Sequence, residues 1–282
     1  MKGFQNIGNT CYMNAGLQML IQNKDLCTLI SKYHTNSPIL NTINLFIQEY
    51  YDNTNSTNSI TPSAIKELVE NKQEIFMGFQ QQDSIEFVIC LLDIIDMEIK
   101  KENKNSKELE EIFGVEINTR TKCKIRNCLN ISNIKDTNNF LLLDMDPTFK
   151  SLDDAYRNFK SGEMLEDDNM YYCDKCKMKR NASKRYSVEN WSPSVLIWLK
   201  RFKATKNSMM KIGQALDIPL VWRNKQLKGA IIHYGNLNGG HYVYVGKHND
   251  IWYLFDDSRV TKVDNINSIL SYAYCLNYEY NP

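Results

Sequence analysis

A chain of 282 residues is long enough to bury a full core, as one large domain or two small ones. Its 34 basic and 33 acidic side chains nearly cancel, so no global field directs it to nucleic acid or a membrane surface. No run of about 18 apolar residues appears, and the N-terminus lacks an apolar signal region, so neither a membrane span nor export through the general secretory route is expected. Eight cysteines are too sparse for a disulfide scaffold at this length. Four of them fall in two close pairs, which suits a metal and a reducing compartment, cytoplasmic or nuclear.

The first chemical signal is Cys11, which follows Asn6-Ile7-Gly8-Asn9-Thr10. Gly8 and Asn9 read as turn residues, Thr10 as a helix N-cap, and Tyr12 to Gln22 as helix. A cysteine in the first helical turn meets unpaired backbone N–H groups and the positive end of the helix dipole, both of which favour the thiolate. Only a short segment precedes it, so any targeting or substrate-selecting extension is expected to be absent or to have been removed. Asn6 lies just before the turn, where its amide could donate to an oxyanion formed as a thiolate attacks a carbonyl.

Helical periodicity continues to about Leu92, with apolar stripes at Leu17, Leu20 and Ile21, at Ile43, Phe46 and Ile47, and at Phe87, Cys90, Leu91 and Ile94. Two polar stretches, Asp52 to Thr61 and Lys100 to Glu111, read as surface loops or frayed helix ends. From about Phe113 the pattern changes to short apolar runs at 140–143, 194–199 and 230–232, which read as strands. A helical half followed by a strand-rich half predicts an α+β protein.

A cysteine nucleophile needs a base, and there are four histidines. His34 and His248 lie in polar stretches and read as solvated; His233 is a weak competitor. His241 follows Asn238-Gly239-Gly240 and opens the alternating run His241-Tyr242-Val243-Tyr244-Val245, a strand entered through a glycine pair. The chain then turns near 248–250 and returns as Ile251 to Asp257. A hairpin centred there sets His241 opposite residues 256 to 258, so Asp256 or Asp257 becomes its cross-strand neighbour. A carboxylate so placed would fix the imidazole tautomer and stabilise its cation.

Together these residues resemble the ubiquitin-specific protease family of papain-like cysteine peptidases. Gly3 to Asn14 is similar to that family's cysteine box, and Gly239-Gly240-His241-Tyr242 through Phe255-Asp256-Asp257-Ser258 to its histidine box. Gln81-Gln82-Asp83-Ser84-Ile85-Glu86-Phe87 and Leu199-Lys200-Arg201-Phe202 resemble two further landmarks, in the expected order. The resemblance implies a single catalytic domain over 1–282: a helical thumb to about 112, mainly β fingers over about 113–190, and mainly a β-rich palm from about 191. It implies Cys11 as nucleophile, His241 as general base and then acid, Asp256 as its orienter with Asp257 as helper, and Asn6 in the oxyanion hole. Gln82 and Asp83 fall where the family binds the tail of ubiquitin. Gly239 and Gly240 would let the backbone approach a diglycine end closely. The implied activity is thiol-dependent hydrolysis after the C-terminal glycine of ubiquitin by a monomer, with ubiquitin and ubiquitinated proteins as partners and no cofactor for the chemistry. Two other readings stay open: a ubiquitin-binding module that does not cut, and a protease for another diglycine-ended modifier.

Cys173-Asp174-Lys175-Cys176 and Cys123-Lys124-Ile125-Arg126-Asn127-Cys128 supply four thiolates in two close pairs, which suits a structural Zn2+. By the resemblance this site lies in the fingers, although the four-residue spacer of the first pair departs from the family's usual two. The basic cluster Lys175, Lys177, Lys179, Arg180, Lys184 and Arg185 has few interleaved aromatics, so a solvated finger surface is expected and no nucleic-acid partner. Cys27, Cys90 and Cys275 lie in apolar surroundings and read as core.

Overall fold

The computed structural model describes residues 1–54, 58–204, 209–236 and 239–280. Helices dominate the chain as far as Phe113: α1 (Cys11–Ile21), α2 (Lys24–Tyr33), α3 (Pro38–Tyr51), α4 (Ser63–Lys72), α5 (Ser84–Glu102) and α6 (Glu108–Phe113). The three apolar stripes named above lie in one buried cluster. Side chains start several of these helices. Asn23 Oδ1 accepts from Leu26 N (2.9 Å), Ser37 Oγ from Leu40 N (3.1 Å), and Asp83 Oδ1 from Ile85 N (2.7 Å). The polar stretch after α3 is not wholly loop: β2 (Ser59–Ile60) pairs in parallel with β1 (Gly3–Phe4), while residues 55–57 lie outside the described residues. The stretch from Lys100 is partly helical, because α5 runs on to Glu102 and α6 begins at Glu108.

Strands follow. A four-stranded sheet is built from β3 (Val115–Cys123), β4 (Ile131–Asn138), β6 (Glu163–Leu165) and β9 (Ala182–Trp191), in the order β4-β3-β9-β6. It carries at its far end the small hairpin of β7 (Tyr171–Cys173) and β8 (Met178–Arg180). The large sheet contains β5 (Phe140–Asp144), β10 (Ser194–Lys200), β13 (Val221–Trp222), β14 (Lys225–Asn236), β15 (Gly239–His248), β16 (Ile251–Asp256), β17 (Arg259–Val263) and β18 (Ala273–Tyr280). Its order is β17-β16-β15-β14-β18-β10-β5, with β13 beside β14, and only the β5–β10 pair is parallel. The chain is completed by α7 (Leu152–Ser161), the β11 (Phe202–Ala204) and β12 (Met209–Lys211) pair, and α8 (Asn267–Leu270). Helix α7 lies within the strand-rich half and was not expected; a capping box between Ser151 and Asp154 starts it.

Alternation along the large sheet explains why its strands read as unbroken apolar runs. Leu196, Ile231, Tyr242 and Tyr244 pack with the thumb helices, while their neighbours Val195, Ile197, Ile232 and Val243 pack on the other side with α7 and residues near Ile212 to Trp222. A sheet covered on both faces needs apolar residues at every position.

Arg201, in the motif after β10, is 2% exposed and donates to the carbonyls of Ala273 (2.7 Å), Ser271 (3.0 Å), Ile212 (3.0 Å) and Gln214 (2.7 Å). The guanidinium thus satisfies four backbone acceptors from two chain segments where the ladder cannot. Arg201→Met is expected to lower stability by about 2–4 kcal/mol, read as a lower urea midpoint at unchanged slope, because four carbonyls lose the guanidinium at once and of these Ser271 O keeps Leu216 N as a donor (2.9 Å).

Candidate active site

The turn before α1 is built by Asn6. Its Oδ1 accepts from the N–H groups of Gly8 (3.1 Å) and Thr10 (3.1 Å). Gly8 holds φ +116°, and a Cβ there would lie 2.3 Å from the Phe79 ring, so only glycine fits. Asn9 takes φ 53° and its amide donates to Phe79 O (2.9 Å). Thr10 stands at the N-cap position, but its hydroxyl accepts from Ile7 N (3.0 Å) and makes no side-chain cap. The turn has claimed the oxygen that was expected to cap the helix. Cys11 follows as the first residue of α1, 3% exposed.

His241 Nε2 lies 2.6 Å from Asp256 Oδ1, which leaves Nδ1 as the ring nitrogen that serves Cys11. In the β15–β16 hairpin Tyr244 faces Phe255, so the register continued by one sets Asp256 opposite Val243, two residues from His241 on the same face. The contact is therefore diagonal, not directly cross-strand. The Cys11 thiol is the largest influence holding the imidazole protonated; Asp256 adds to it, and together they outweigh burial and push His241 up to about 9.

Asp257 has a different partner. With φ 49° it turns out of the strand, and its carboxylate accepts from Asn6 Nδ2 (2.9 Å) and Asn14 Nδ2 (2.7 Å), while its carbonyl accepts from Phe4 N (2.8 Å). One N–H of the Asn6 amide is thereby occupied and the other is oriented. Asn14, which closes the cysteine-box segment one turn after Cys11, was given no role from the sequence; it is one of two buried amides, with Gln18, in an otherwise apolar α1.

Asp83 Oδ1 caps α5, and Oδ2 accepts from the Tyr242 (3.2 Å) and Tyr274 hydroxyls, so this carboxylate ties the thumb to β15 and β18. Gln82 beside it is half-buried. Gln81, not singled out from the sequence, bonds across the cleft: its Nε2 donates to Gly240 O (2.9 Å) and its Oε1 accepts from Gly240 N (3.2 Å). A Cβ on Gly240 would meet His233 Nε2 at 2.1 Å, whereas one on Gly239 would meet nothing within 4 Å, so intramolecular crowding requires glycine only at 240. Asn238 lies outside the described residues. His233 is buried against Tyr242, ring centroids 4.5 Å apart, and burial, then Lys211 and His241, takes it down to about 4. His248 is exposed, and His34 is half-buried with Nδ1 2.6 Å from Ser31 O.

At the far end of the fingers, the sulfurs of Cys123, Cys128, Cys173 and Cys176 lie within 4.8 Å of one another. Cys128 Sγ is 3.4 Å from Cys173 Sγ and 3.4 Å from Cys176 Sγ, well beyond the S–S bond length of about 2.05 Å. Tetrahedral ligands about 2.3 Å from zinc would be about 3.8 Å apart, so the set fits that ion. The residue after each pair, Leu129 (φ 51°) and Lys177 (φ 54°), turns left-handed, so unequal spacers end in the same turn. Asn130 Nδ2 lies 3.4 Å from Cys173 Sγ, a donor to sulfur outside the ligand set.

A buried thiol, an imidazole held by a carboxylate, and an oriented amide beside the thiol define a cysteine-peptidase type of site on an α+β scaffold. The family model "Ubiquitin carboxyl-terminal hydrolase" matches residues 2–278, and the chain belongs to this family of cysteine-type deubiquitinating peptidases. It is similar to human ubiquitin carboxyl-terminal hydrolase 3, at 26% identity over 98% of this chain and 67% of the relative. It is also similar to the probable ubiquitin carboxyl-terminal hydrolase 16 of Schizosaccharomyces pombe, at 28% identity over 98% of this chain and 66% of the relative. The chain thus spans about two thirds of the length of these relatives. Among solved structures it resembles a chain of the SAGA DUB module Ubp8/Sgf11/Sus1/Sgf73 bound to monoubiquitin, with a TM-score of 0.84 and 25% identity over 100% of this chain and 69% of that one. The same module bound to ubiquitin aldehyde gives a TM-score of 0.82 at 23% identity, over 100% of this chain and 70% of that one.

Because the imidazole owes its raised value first to Cys11, His241 is expected to titrate near 9 in the wild type and distinctly lower in Cys11→Ala, as read from imidazole 15N shifts against pH. The sign for stability follows: a value raised above the ordinary ~6.5 contributes stability that is full below ~6.5 and lost as pH rises through about 9. An unchanged His241 titration in Cys11→Ala would separate the two groups.

Proposed function

We propose that this chain hydrolyses the isopeptide or peptide bond that follows the C-terminal glycine of ubiquitin. The observation that carries the reading is the joint presence of Cys11, His241 with Asp256, and Asn6 with Asp257 at one point of the fold. The Cys11 thiolate attacks the glycine carbonyl carbon, and the carbonyl oxygen becomes an oxyanion that takes the free N–H of the Asn6 amide. The C–N bond breaks as His241 gives its proton to the leaving amine. Water then attacks the thioester, losing a proton to His241, and the thiolate leaves. Asp256 keeps the ring in place and its cation favourable throughout.

The two glycines that open β15 and the bridge from Gln81 to Gly240 support a narrow approach to Cys11, which a diglycine end passes more readily than a side-chain-bearing one. The relatives' names and the ubiquitin held by the similar DUB modules favour ubiquitin over another diglycine-ended modifier. The four clustered sulfurs would hold Zn2+ as a structural ion, remote from the chemistry. All eight cysteines are free thiols, which suits the reducing intracellular compartments, cytoplasm or nucleus.

A ubiquitin probe with a C-terminal electrophile is expected to label wild-type protein at Cys11; absence of labelling would remove the reading, and preferential labelling by another modifier's probe would change its substrate. Cys11→Ala should bind ubiquitin without turnover. Asn6→Ala should cost about 10²–10³ in kcat with little change in KM, and Asp257→Ala should fall in the same parameter by less, because it loosens the amide without removing it. Chelation is expected to remove one zinc per chain, read by elemental analysis, and to expose residues near 123–128 and 171–180 to proteolysis.

A further inference from the structure

The two buried amides of α1 differ in how the fold uses them. Gln18 is fully employed: its Nε2 donates to Lys2 O (2.9 Å), and its Oε1 accepts from Gln22 Nε2 (3.0 Å) and the Tyr50 hydroxyl (3.0 Å). Asn14 is not. Its Oδ1 is buried and has no hydrogen-bond partner among the described residues. An orphaned buried acceptor is costly, and leucine or methionine would fill an apolar helix without that cost. Packing alone therefore does not account for an asparagine here, and the reason must lie with its nitrogen.

Asn14 Nδ2 has two hydrogens and three acceptors within reach. Asp257 Oδ1 is the nearest at 2.7 Å, and the carbonyls of Phe4 (3.3 Å) and Gln5 (3.4 Å) lie further off. All three lead to Asn6. Phe4 and Gln5 precede it directly in the chain, and Asp257 Oδ2 accepts from Asn6 Nδ2 (2.9 Å). Asn6 itself stands in a turn, outside any helix, whereas Asn14 belongs to the first hydrogen-bonded turn of α1, its N–H donating to Thr10 O (2.9 Å). The chain of contacts from Asn14 through Asp257 thus fastens the Asn6 amide to the helix that carries Cys11. One oxygen of Asp257 also lies within 4.8 Å of a His241 ring nitrogen and an Asp256 oxygen. Freed of Asn14, that carboxylate would have the imidazole as an alternative partner.

We propose that Asn14 is a positioning residue of the reaction, which sets the Asn6 amide at the oxyanion position by anchoring Asp257. The inference rests on the reading of Asn6 as oxyanion donor given above. Position 14 requires an amide for this task. A leucine would leave Asp257 Oδ1 without its nearest donor, and an aspartate would set a second carboxylate against the first. The oxyanion exists only once the thiolate has attacked, so a misplaced donor lowers kcat while leaving ground-state binding of ubiquitin in place.

Steady-state kinetics on the full chain with a ubiquitin–fluorophore substrate test it. Asn14→Ala is expected to lower kcat about tenfold with KM within about twofold of wild type, and to weaken inhibition by ubiquitin aldehyde, whose adduct with Cys11 places an oxygen at the oxyanion position, by a similar factor. Asn14→Asp and Asp257→Asn should each lose at least about tenfold in kcat. The double variant Asn14→Asp, Asp257→Asn should recover to within about threefold of wild type, because amide and carboxylate have changed places and the same contact runs in the opposite direction. Gln18→Leu provides the comparison for damage to α1 alone: a lower thermal midpoint with kcat within about twofold. A folded Asn14→Ala with unchanged kcat, a kcat loss in Gln18→Leu equal to that in Asn14→Ala, or a double variant no more active than the single ones would each overturn the inference. Should Asn14→Ala not fold, the double variant decides. Wild-type protein left unlabelled at Cys11 by the ubiquitin probe would overturn the reading of the whole site, whereas labelling together with an unaffected Asn14→Ala would overturn the role of Asn14 alone.

Discussion

Everything at the catalytic end depends on the burial of α1 between α5 and the large sheet. Cys11 and His241 are far apart in the chain, and they meet because each stands at or near the start of an element whose remainder is fixed by packing: all eleven residues of α1 are buried, and Tyr242 and Tyr244 of β15 pack in the same cluster. Polar joints then set the register that apolar contact alone would leave loose. Ser84 Oγ donates to Tyr12 O (2.7 Å), seating α5 on α1. Asp83 caps α5 with one oxygen and receives the Tyr242 and Tyr274 hydroxyls with the other. Burial raises both phenols far above their ordinary value, so they remain donors at any working pH. One carboxylate thus joins a helix terminus and two strands, and a residue chosen from the sequence for binding a substrate tail is also a structural joint.

The adjacent acids at the end of β16 divide their work through backbone conformation. Asp256 is still in the strand and shares the face of His241, so its charge falls on the imidazole. Asp257, at φ 49°, leaves the strand plane and turns its carboxylate to two asparagine amides. Exchange of Asp256 and Asp257 is therefore not neutral even though both are aspartates, because alternation and the left-handed residue send successive side chains to different partners. The main chain at 257 contributes too, since its carbonyl receives Phe4 N and holds β1 beside the turn that ends in Cys11.

How much of this was readable follows from the range of each determinant. Helix stripes and buried strands are local patterns, and the runs at 140–143, 194–199 and 230–232 lie within β5, β10 and β14. The hairpin reading reached Asp256 or Asp257 but not their separate roles, because those depend on φ at one residue. Asn249 and Asp250, both left-handed at φ 47° and 63°, form the two-residue loop that fixes the register, and Asn-Asp is a weaker signal for such a loop than Asn-Gly. The Ser151 to Asp154 box was visible in the sequence and would have located α7. By contrast, β1–β2 pairing, the Asn14 to Asp257 bond and the Gln81 to Gly240 bridge join residues 56 to 243 positions apart, and no periodicity encodes them.

Different physics holds the two ends of the molecule. The catalytic groups belong to elements that share the two large apolar clusters, to which the finger tip contributes no residue. At the tip the β7–β8 hairpin has three residues per strand, and its buried cluster consists of Cys123, Cys128 and Cys173, with Tyr171 and Cys176 against them. A two-stranded piece of that length is not stable alone, and four small sulfur side chains bury too little apolar area to change that. A Zn2+ held by these four sulfurs, as proposed above, would replace the missing core, and would do so without the close packing that makes interior positions intolerant of substitution. The residues between and after these cysteines, exposed at Leu129, Lys175 and Lys177, take no part in the packing. This is why the tip can carry Leu129, Lys175 and Lys177 facing solvent, a choice that the thumb and palm, bound by their own interiors, could not make.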